Sequence, residues 1–239
     1  MEIVQWERQE NISVITMCNG ANRQNLDFAM QMNQCFDQII AEESLRSIVL
    51  TSSDEKNFSQ GIDVEWLTQT LAKQDFDTVK TFMYEMNTVF KRLLLMPLPV
   101  IAAINGHAFG NGAILSCACD FRFMTKDKGF FCFPEVDVNI PFLPGMTAFV
   151  KKAIPEYLFN EMLLSGKRVT APELEQHNVI VSASENRAEL LTQAMDYAGT
   201  FNKQRPIFGE LKKRKHKEII RVIEAEDPEF IEPLNLMIK

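Results

Sequence analysis

An α/β fold built on a parallel sheet is what this sequence predicts, and three observations predict it. Short apolar runs of strand length alternate with longer segments whose apolar residues recur at helical spacing. Two of the runs, Ser47-Ile48-Val49-Leu50-Thr51 and Val100-Ile101-Ala102-Ala103-Ile104, are apolar nearly throughout, as strands covered on both faces must be. Beyond about Pro144 the pattern turns helical, punctuated by Pro155, Pro172 and Pro206. The expected division is a core over residues 1–190 and a helical region over 191–239, with no internal repeat or low-complexity linker.

The elements follow in order. Ile12, Val14 and Ile15 with polar neighbours predict a strand that ends at the turn dipeptide Asn19-Gly20. From Leu26 the apolar residues Met30, Cys35 or Phe36, Ile39 and Ile40 keep helical spacing, and Asn25 stands where a side-chain cap is needed. After the strand at Ser47 a helix is expected from about Asp63, then a longer one from about Phe76 to Met96, stopped by Pro97 and Pro99. The strand at Val100 breaks at Asn105-Gly106 and leads to a helix of small residues, Ala113 to Ala118. Phe121 to Met124 reads as a strand, Lys126 to Gly129 as a turn, and Phe130 to Val138 as an extended hydrophobic segment.

Composition narrows the function. The chain has 239 residues, 46% hydrophobic, a formal net charge of −7 and a pI near 5.1. An acidic chain of this kind argues against nucleic acid as a partner, since that binding needs a basic surface. No stretch approaches the roughly 20 apolar residues that span a bilayer, so no membrane partner is expected. Cys18, Cys35, Cys117, Cys119 and Cys132 are odd in number and lie in apolar segments, which fits buried thiols in a reducing compartment. No second Cys or His pair stands at zinc spacing, so no metal is expected. Met1-Glu2-Ile3-Val4-Gln5-Trp6 lacks the features of a signal peptide, and the expectation is a cytoplasmic protein.

Two strand-to-helix junctions stand out: Asn57-Phe58-Ser59-Gln60-Gly61-Ile62-Asp63 and Asn105-Gly106-His107-Ala108-Phe109-Gly110-Asn111-Gly112. Glycine lets the backbone turn with positive φ, and the first N–H groups of a helix have no internal partner. Two such ends facing one point would hold a developing oxyanion; one at a time, these glycines read simply as tight turns. Neither junction has the Gly-Lys-Ser/Thr ending of a phosphate loop or the spacing of a dinucleotide fingerprint.

The pair resembles the motifs of the crotonase superfamily, the enoyl-CoA hydratase/isomerase family. Phe58-Ser59-Gln60-Gly61-Ile62-Asp63 is similar to its F-[SC]-x-G-x-D, and Pro99 to Gly112 to its P-V-I-A-A-[IV]-N-G-x-A-x-G-G-G. Asp120 stands at its [CS]-D pair, and Phe131-Cys132-Phe133-Pro134-Glu135 resembles its F-x-x-P-E. The resemblance, from Ile12 to about Lys217, implies a spiral of ββα units with a C-terminal helical region that trimerises, as a homotrimer or a dimer of trimers. It implies an acyl-CoA thioester as substrate, with no further cofactor. The thioester carbonyl would meet the backbone N–H groups of Ile62 and Asn111. Arg23, Gln60, Gly61, Asp63, Gly110 and Phe142 would be the substrate-binding positions, Arg23 near the CoA phosphates and Phe142 in the acyl pocket.

The family's hydratases carry two glutamates, and here the first position is Ile114 while Glu135 matches the second. One carboxylate suits the movement of a double bond, from a 3-enoyl to a 2-enoyl thioester, better than the addition of water. The expectation is therefore a Δ3,Δ2-enoyl-CoA isomerase with Glu135 as proton shuttle, its pKa raised by Phe130, Phe131, Phe133 and Val136. Asp137, on the same face of an extended segment, is the reserve base. A hydratase-like enzyme, an acyl-CoA hydrolase and a non-catalytic acyl-CoA-binding protein stay open. His107 is expected to make a backbone hydrogen bond. The basic run Lys212 to Lys217 is expected to be a solvated helix face, or alternatively a contact for the 3′-phosphate of CoA through Lys213 and Lys217.

Overall fold

The computed structural model describes residues 2–238. A hairpin opens the chain, β1 (Val4–Gln9) and β2 (Ile12–Met17), antiparallel about a turn in which Glu10 takes a φ of 55°. β3 (Arg23–Gln24) leads into α1 (Leu26–Ala41), whose cap Asn25 accepts from the Phe28 N–H at 3.1 Å. Then come β4 (Ser47–Ser52), β5 (Asn57–Ser59), β6 (Gly61–Ile62), α2 (Val64–Ala72) and α3 (Phe76–Leu95). β7 (Val100–Ile104), β8 (His107–Phe109), α4 (Asn111–Ala118), β9 (Phe121–Thr125) and β10 (Phe131–Cys132) complete the middle of the chain. The remainder is α5 (Glu135–Val138), α6 (Pro144–Val150), α7 (Glu156–Ser165), β11 (Arg168–Val169), α8 (Ala171–Gln176), β12 (Ser182–Ser184), α9 (Arg187–Gly199), α10 (Arg205–Lys215), α11 (Lys217–Ala225) and α12 (Pro228–Ile231).

The strands sort into layers. The main sheet runs β1-β2-β4-β7-β9-β12 and is parallel except at the β1–β2 edge. A second sheet runs β11-β10-β8-β5, and β3 pairs with β6. Successive strand pairs are split between the sheets: β4, β7 and β9 enter the first, and β5, β8 and β10 the second. This is the repeated ββα unit that the resemblance implied.

The near-continuous apolar runs have a direct cause. Val100, Ala102 and Ile104 of β7 face the large core beneath α1, α3 and α4, while Ile101 and Ala103 face a smaller core. That smaller core is closed by Leu190, Ala194 and Ala198 of α9. Both faces of the strand are covered, so no position is left for a polar residue. The expected core limit at residue 190 falls inside α9.

Three expectations need correction. Phe130 to Val138 is not extended throughout: only Phe131 and Cys132 form a strand, and Glu135–Val138 is a helical turn. Alternation over four residues fits either period, and the turn after Pro134 decides it. The region beyond Pro144 is not purely helical, because β11 and β12 return to the two sheets. The basic run is not simply a solvated face, since Lys212 and His216 turn inward and are buried, while Lys213 and Lys217 are exposed. The acidic segment near the C-terminus is ordered: Asp227 is buried and accepts from Asn87 Nδ2 at 2.9 Å and from the Gly145 N–H at 2.7 Å.

Candidate active site

The two glycine junctions meet. Gly61 has a φ of +78°, and a Cβ there would lie 2.7 Å from the Phe109 carbonyl oxygen and 2.8 Å from the Asn111 nitrogen. Glycine is therefore demanded at position 61 by space as well as by dihedral. Gly110, with φ +52°, turns the chain from β8 into α4, so Asn111 is the first residue of that helix. Its N–H has no partner within the helix. Because the left-handed residue is Gly110, Asn111 has ordinary helical backbone and needs no glycine.

Ile62 completes the pair. Its neighbour Asp63 donates its N–H to the Gln24 carbonyl at 2.9 Å. Ile62 and Asn111 line one narrow pocket of about 30 Å³ together with Ile114, Glu135, Phe142 and Met146. A roomier pocket of about 440 Å³ shares Glu135, Pro141 and Phe142 with it and continues past Val136, Leu163 and Leu164.

Glu135 stands at the junction of the two pockets, as the first residue of α5. Its residue as a whole is half-buried, but its carboxyl reaches inward. A Cβ on Gly110 would lie 3.1 Å from Oε1, and Oε2 is buried with no hydrogen-bond partner among the described residues. Burial disfavours the carboxylate and pushes the pKa up to about 8. Among the described residues Glu135 is the one acid lining the narrow pocket. Asp137 is not beside it. In the helical turn it faces elsewhere, with Oδ2 against Gly166, and its place as reserve base is withdrawn.

The other site positions divide. Arg23 is exposed, and its backbone pairs with Gly61, which places it at the edge of the same turn. Gln60 donates from its side chain to Asn57 Oδ1. Asp63 caps α2, accepting the Trp66 N–H at 3.1 Å, so its carboxylate is engaged in starting a helix. Phe142 packs edge-on against Phe133 with centroids 5.2 Å apart. His107 accepts the Phe130 N–H on Nδ1 at 3.2 Å, the backbone hydrogen bond expected of it. No group of three metal-ligating side chains lies together among the described residues, and no described helix is long and apolar enough to cross a membrane.

One hydrogen-bond network joins residues that no sequence motif connects. Asn111 Nδ2 donates to Gln24 Oε1 at 2.6 Å, Gln24 Nε2 donates to Ser59 Oγ at 3.2 Å, and Ser59 Oγ donates to the Asn22 carbonyl at 2.7 Å. Asn22 Nδ2 donates in turn to the Phe58 carbonyl at 2.9 Å. All four residues are buried, so this chain clamps both junctions from within. Nothing in the spacing of Asn22 and Gln24 announces it; the polar pair before a helix cap was the available hint.

A ββα spiral with two interlocked glycine junctions and a helical C-terminal region is the crotonase fold. The sequence model of the enoyl-CoA hydratase/isomerase family matches residues 7–226, and the chain belongs to that family. It is 26% identical over 227 residues to Enoyl-CoA delta isomerase 3 of Arabidopsis thaliana, covering 91% of this chain and 94% of that protein. It is 24% identical to the Short-chain-enoyl-CoA hydratase of Clostridium acetobutylicum, covering 87% of this chain and 78% of that one. A crystal structure of a probable enoyl-CoA hydratase from Mycobacterium tuberculosis superposes with a TM-score of 0.86 over 98% of this chain and 97% of the other, at 20% identity, a likeness of fold.

Proposed function

We propose that this chain moves the double bond of a 3-enoyl-CoA thioester to the 2-trans position, with Glu135 as the single proton shuttle. The observation that carries the reading is the buried carboxyl of Glu135 lining one narrow pocket with Ile62 and Asn111, with Ile114 where a second acid would stand. The carboxylate of Glu135 takes a proton from C2. The electron pair of the broken C–H bond becomes a C1=C2 bond as the carbonyl pair moves onto the thioester oxygen, with C3=C4 retained. On return the oxygen pair restores the carbonyl, the C1=C2 pair becomes C2=C3, and the C3=C4 pair takes the proton at C4. Between the two transfers the thioester oxygen carries the negative charge of a dienolate. The N–H groups of Ile62 and Asn111 would receive that charge, and each such donor typically contributes roughly 3–4 kcal/mol.

The environment of Glu135 suits this role. A carboxyl with a pKa of about 8 is ionised in about one molecule in ten at neutral pH, and in that form it is a stronger base than an exposed glutamate. The apolar lining keeps water from the dienolate. Adding water would require a second group to activate it, and the narrow pocket offers Ile114 and Asn111 in place of another acid. The roomier pocket beyond Phe142 would take the acyl chain, exposed Arg23 would face the CoA phosphates, and the C-terminal helices would assemble a homotrimer or a dimer of trimers. The test is Glu135→Gln: 3-hexenoyl-CoA isomerisation, followed by the ultraviolet absorbance of the conjugated product, should fall by about 10²–10⁴-fold while acyl-CoA binding persists. Undiminished turnover would remove the assignment.

A further inference from the structure

At the far end of α4 lies a second cavity of about 360 Å³, lined by Asp120, Arg122, Lys152, Lys212, Lys215 and His216 on its polar side and by Phe121, Phe208 and Leu211 on its apolar side. In a chain of net charge −7, four cations crowd here around one carboxylate. Three of the polar residues are more than nine-tenths buried: Arg122 is 7% exposed, Lys212 5% and His216 2%.

Some of this charge is answered by the chain itself. Lys212 Nζ donates to Asp120 Oδ2 at 2.7 Å and to the Leu93 carbonyl at 2.9 Å, near the end of α3. Arg122 donates from Nη1 to the Ser116 and Cys119 carbonyls at 3.2 and 3.0 Å, and from Nε to the Val179 carbonyl at 2.8 Å. Lys152 Nζ donates to the Cys119 carbonyl at 2.9 Å. The C-terminal ends of α3 and α4 each supply roughly half a negative charge. Four cations, one carboxylate and two such ends leave an excess of about two positive charges. The end of α10 and the start of α11 meet at His216 and roughly cancel.

Two further observations point to a missing partner. His216 Nδ1 is buried beside the cavity and makes no hydrogen bond with any described residue, a costly state for a polar atom. Lys215 borders the same cavity and forms no ion pair among the described residues. The like charges also show their strain: burial, and then Arg122, push Lys152 down to about 8.

We propose that this cavity is a binding site for a dianionic phosphate group, with Lys152, Lys212, Lys215 and His216 as its donors and Phe121 and Phe208 as a wall for an organic substituent. A dianion cancels the residual charge, and a tetrahedral oxyanion accepts from several directions at once. The site lies at the opposite end of α4 from Glu135 and does not depend on the reaction carried out there.

The test is calorimetric titration of the full chain with inorganic phosphate and with phenyl phosphate, each against sodium chloride of equal ionic strength, alongside the ring resonances of His216. Saturable binding of both, a shift of the His216 ring and tighter binding of phenyl phosphate are expected. Lys215→Glu, at an exposed position, should weaken binding by about tenfold with the fold intact. Lys152→Gln should do the same, and His216 should then stop responding. Binding of inorganic phosphate without preference for phenyl phosphate would overturn the aromatic wall. A response no different from that to chloride, or binding unchanged in both variants, would overturn the site.

Discussion

The two ends of α4 bury titratable groups under opposite terms. At the N-terminal end one carboxyl sits among Ile62, Ile114, Phe142 and Met146, with no cation among the described residues that line the pocket, and its pKa rises to about 8. At the C-terminal end Lys152 falls to about 8 and His216 to about 4, also through burial first and then through neighbouring cations. Burial drives each group toward its neutral form. The difference lies in what surrounds it. The N-terminal end has the first N–H groups of a helix and an apolar wall, an arrangement that the proposed reaction would use for a transient anion. The C-terminal end has charges already satisfied in part by carbonyls and Asp120, an arrangement that holds two elements of the chain together.

The C-terminal end of α4 is most sensitive at Asp120. Asp120→Asn leaves Lys212 buried without its carboxylate, and the stability loss should be about 3–5 kcal/mol, read from denaturant unfolding. A loss below 1 kcal/mol would mean that the carbonyls alone hold the lysine. The N-terminal end should respond in the other direction. Glu135 has a folded pKa of about 8 against 4.5 when unfolded, so between those values the folded state binds more protons. Stability therefore falls as pH rises through that window and levels off above it. From pH 6 to pH 8 the native chain should lose on the order of 1–3 kcal/mol, and Glu135→Gln should lose much less. Asp227, raised to about 6, titrates with the same sign but mostly below that interval. The smallest effect is at Gly61. Gly61→Ala puts a Cβ against backbone atoms of the α4 junction in a left-handed conformation, which should cost about 1–3 kcal/mol and, on the proposed function, lower 3-enoyl-CoA turnover by pushing the two junctions apart.

The sequence made the centre of this molecule legible and its margins less so. β4 and β7 were readable because both faces of each are covered, which forces uninterrupted apolar runs. The cap Asn25 was readable because a helix start demands a side-chain acceptor at that place, whereas Asp63, expected among the substrate-binding positions, caps α2 with its carboxylate. β1 was not anticipated, since it lies at a sheet edge and most of its residues face solvent. β12, with the sequence Ser-Ala-Ser, carries no β-branched or large residue to mark it as a strand. In the candidate site, Glu135 and the two junctions could be placed from motif spacing. The clamp of Asn22, Gln24, Ser59 and Asn111 could not, because its members are far apart in sequence and meet only once the ββα units have stacked. The inward turn of Lys212 and His216 was hidden in the same way: a run of six basic residues looks alike on every helix face until one face finds Asp120.

In the proposed reaction one carboxyl carries a proton from C2 to C4 within an apolar pocket, and isotopic labelling tests that most directly. A 3-enoyl-CoA deuterated at C2, converted by the native chain in ordinary water, should yield product with a large share of the deuterium at C4. Complete loss of the label to solvent, together with full turnover by Glu135→Gln, would contradict it.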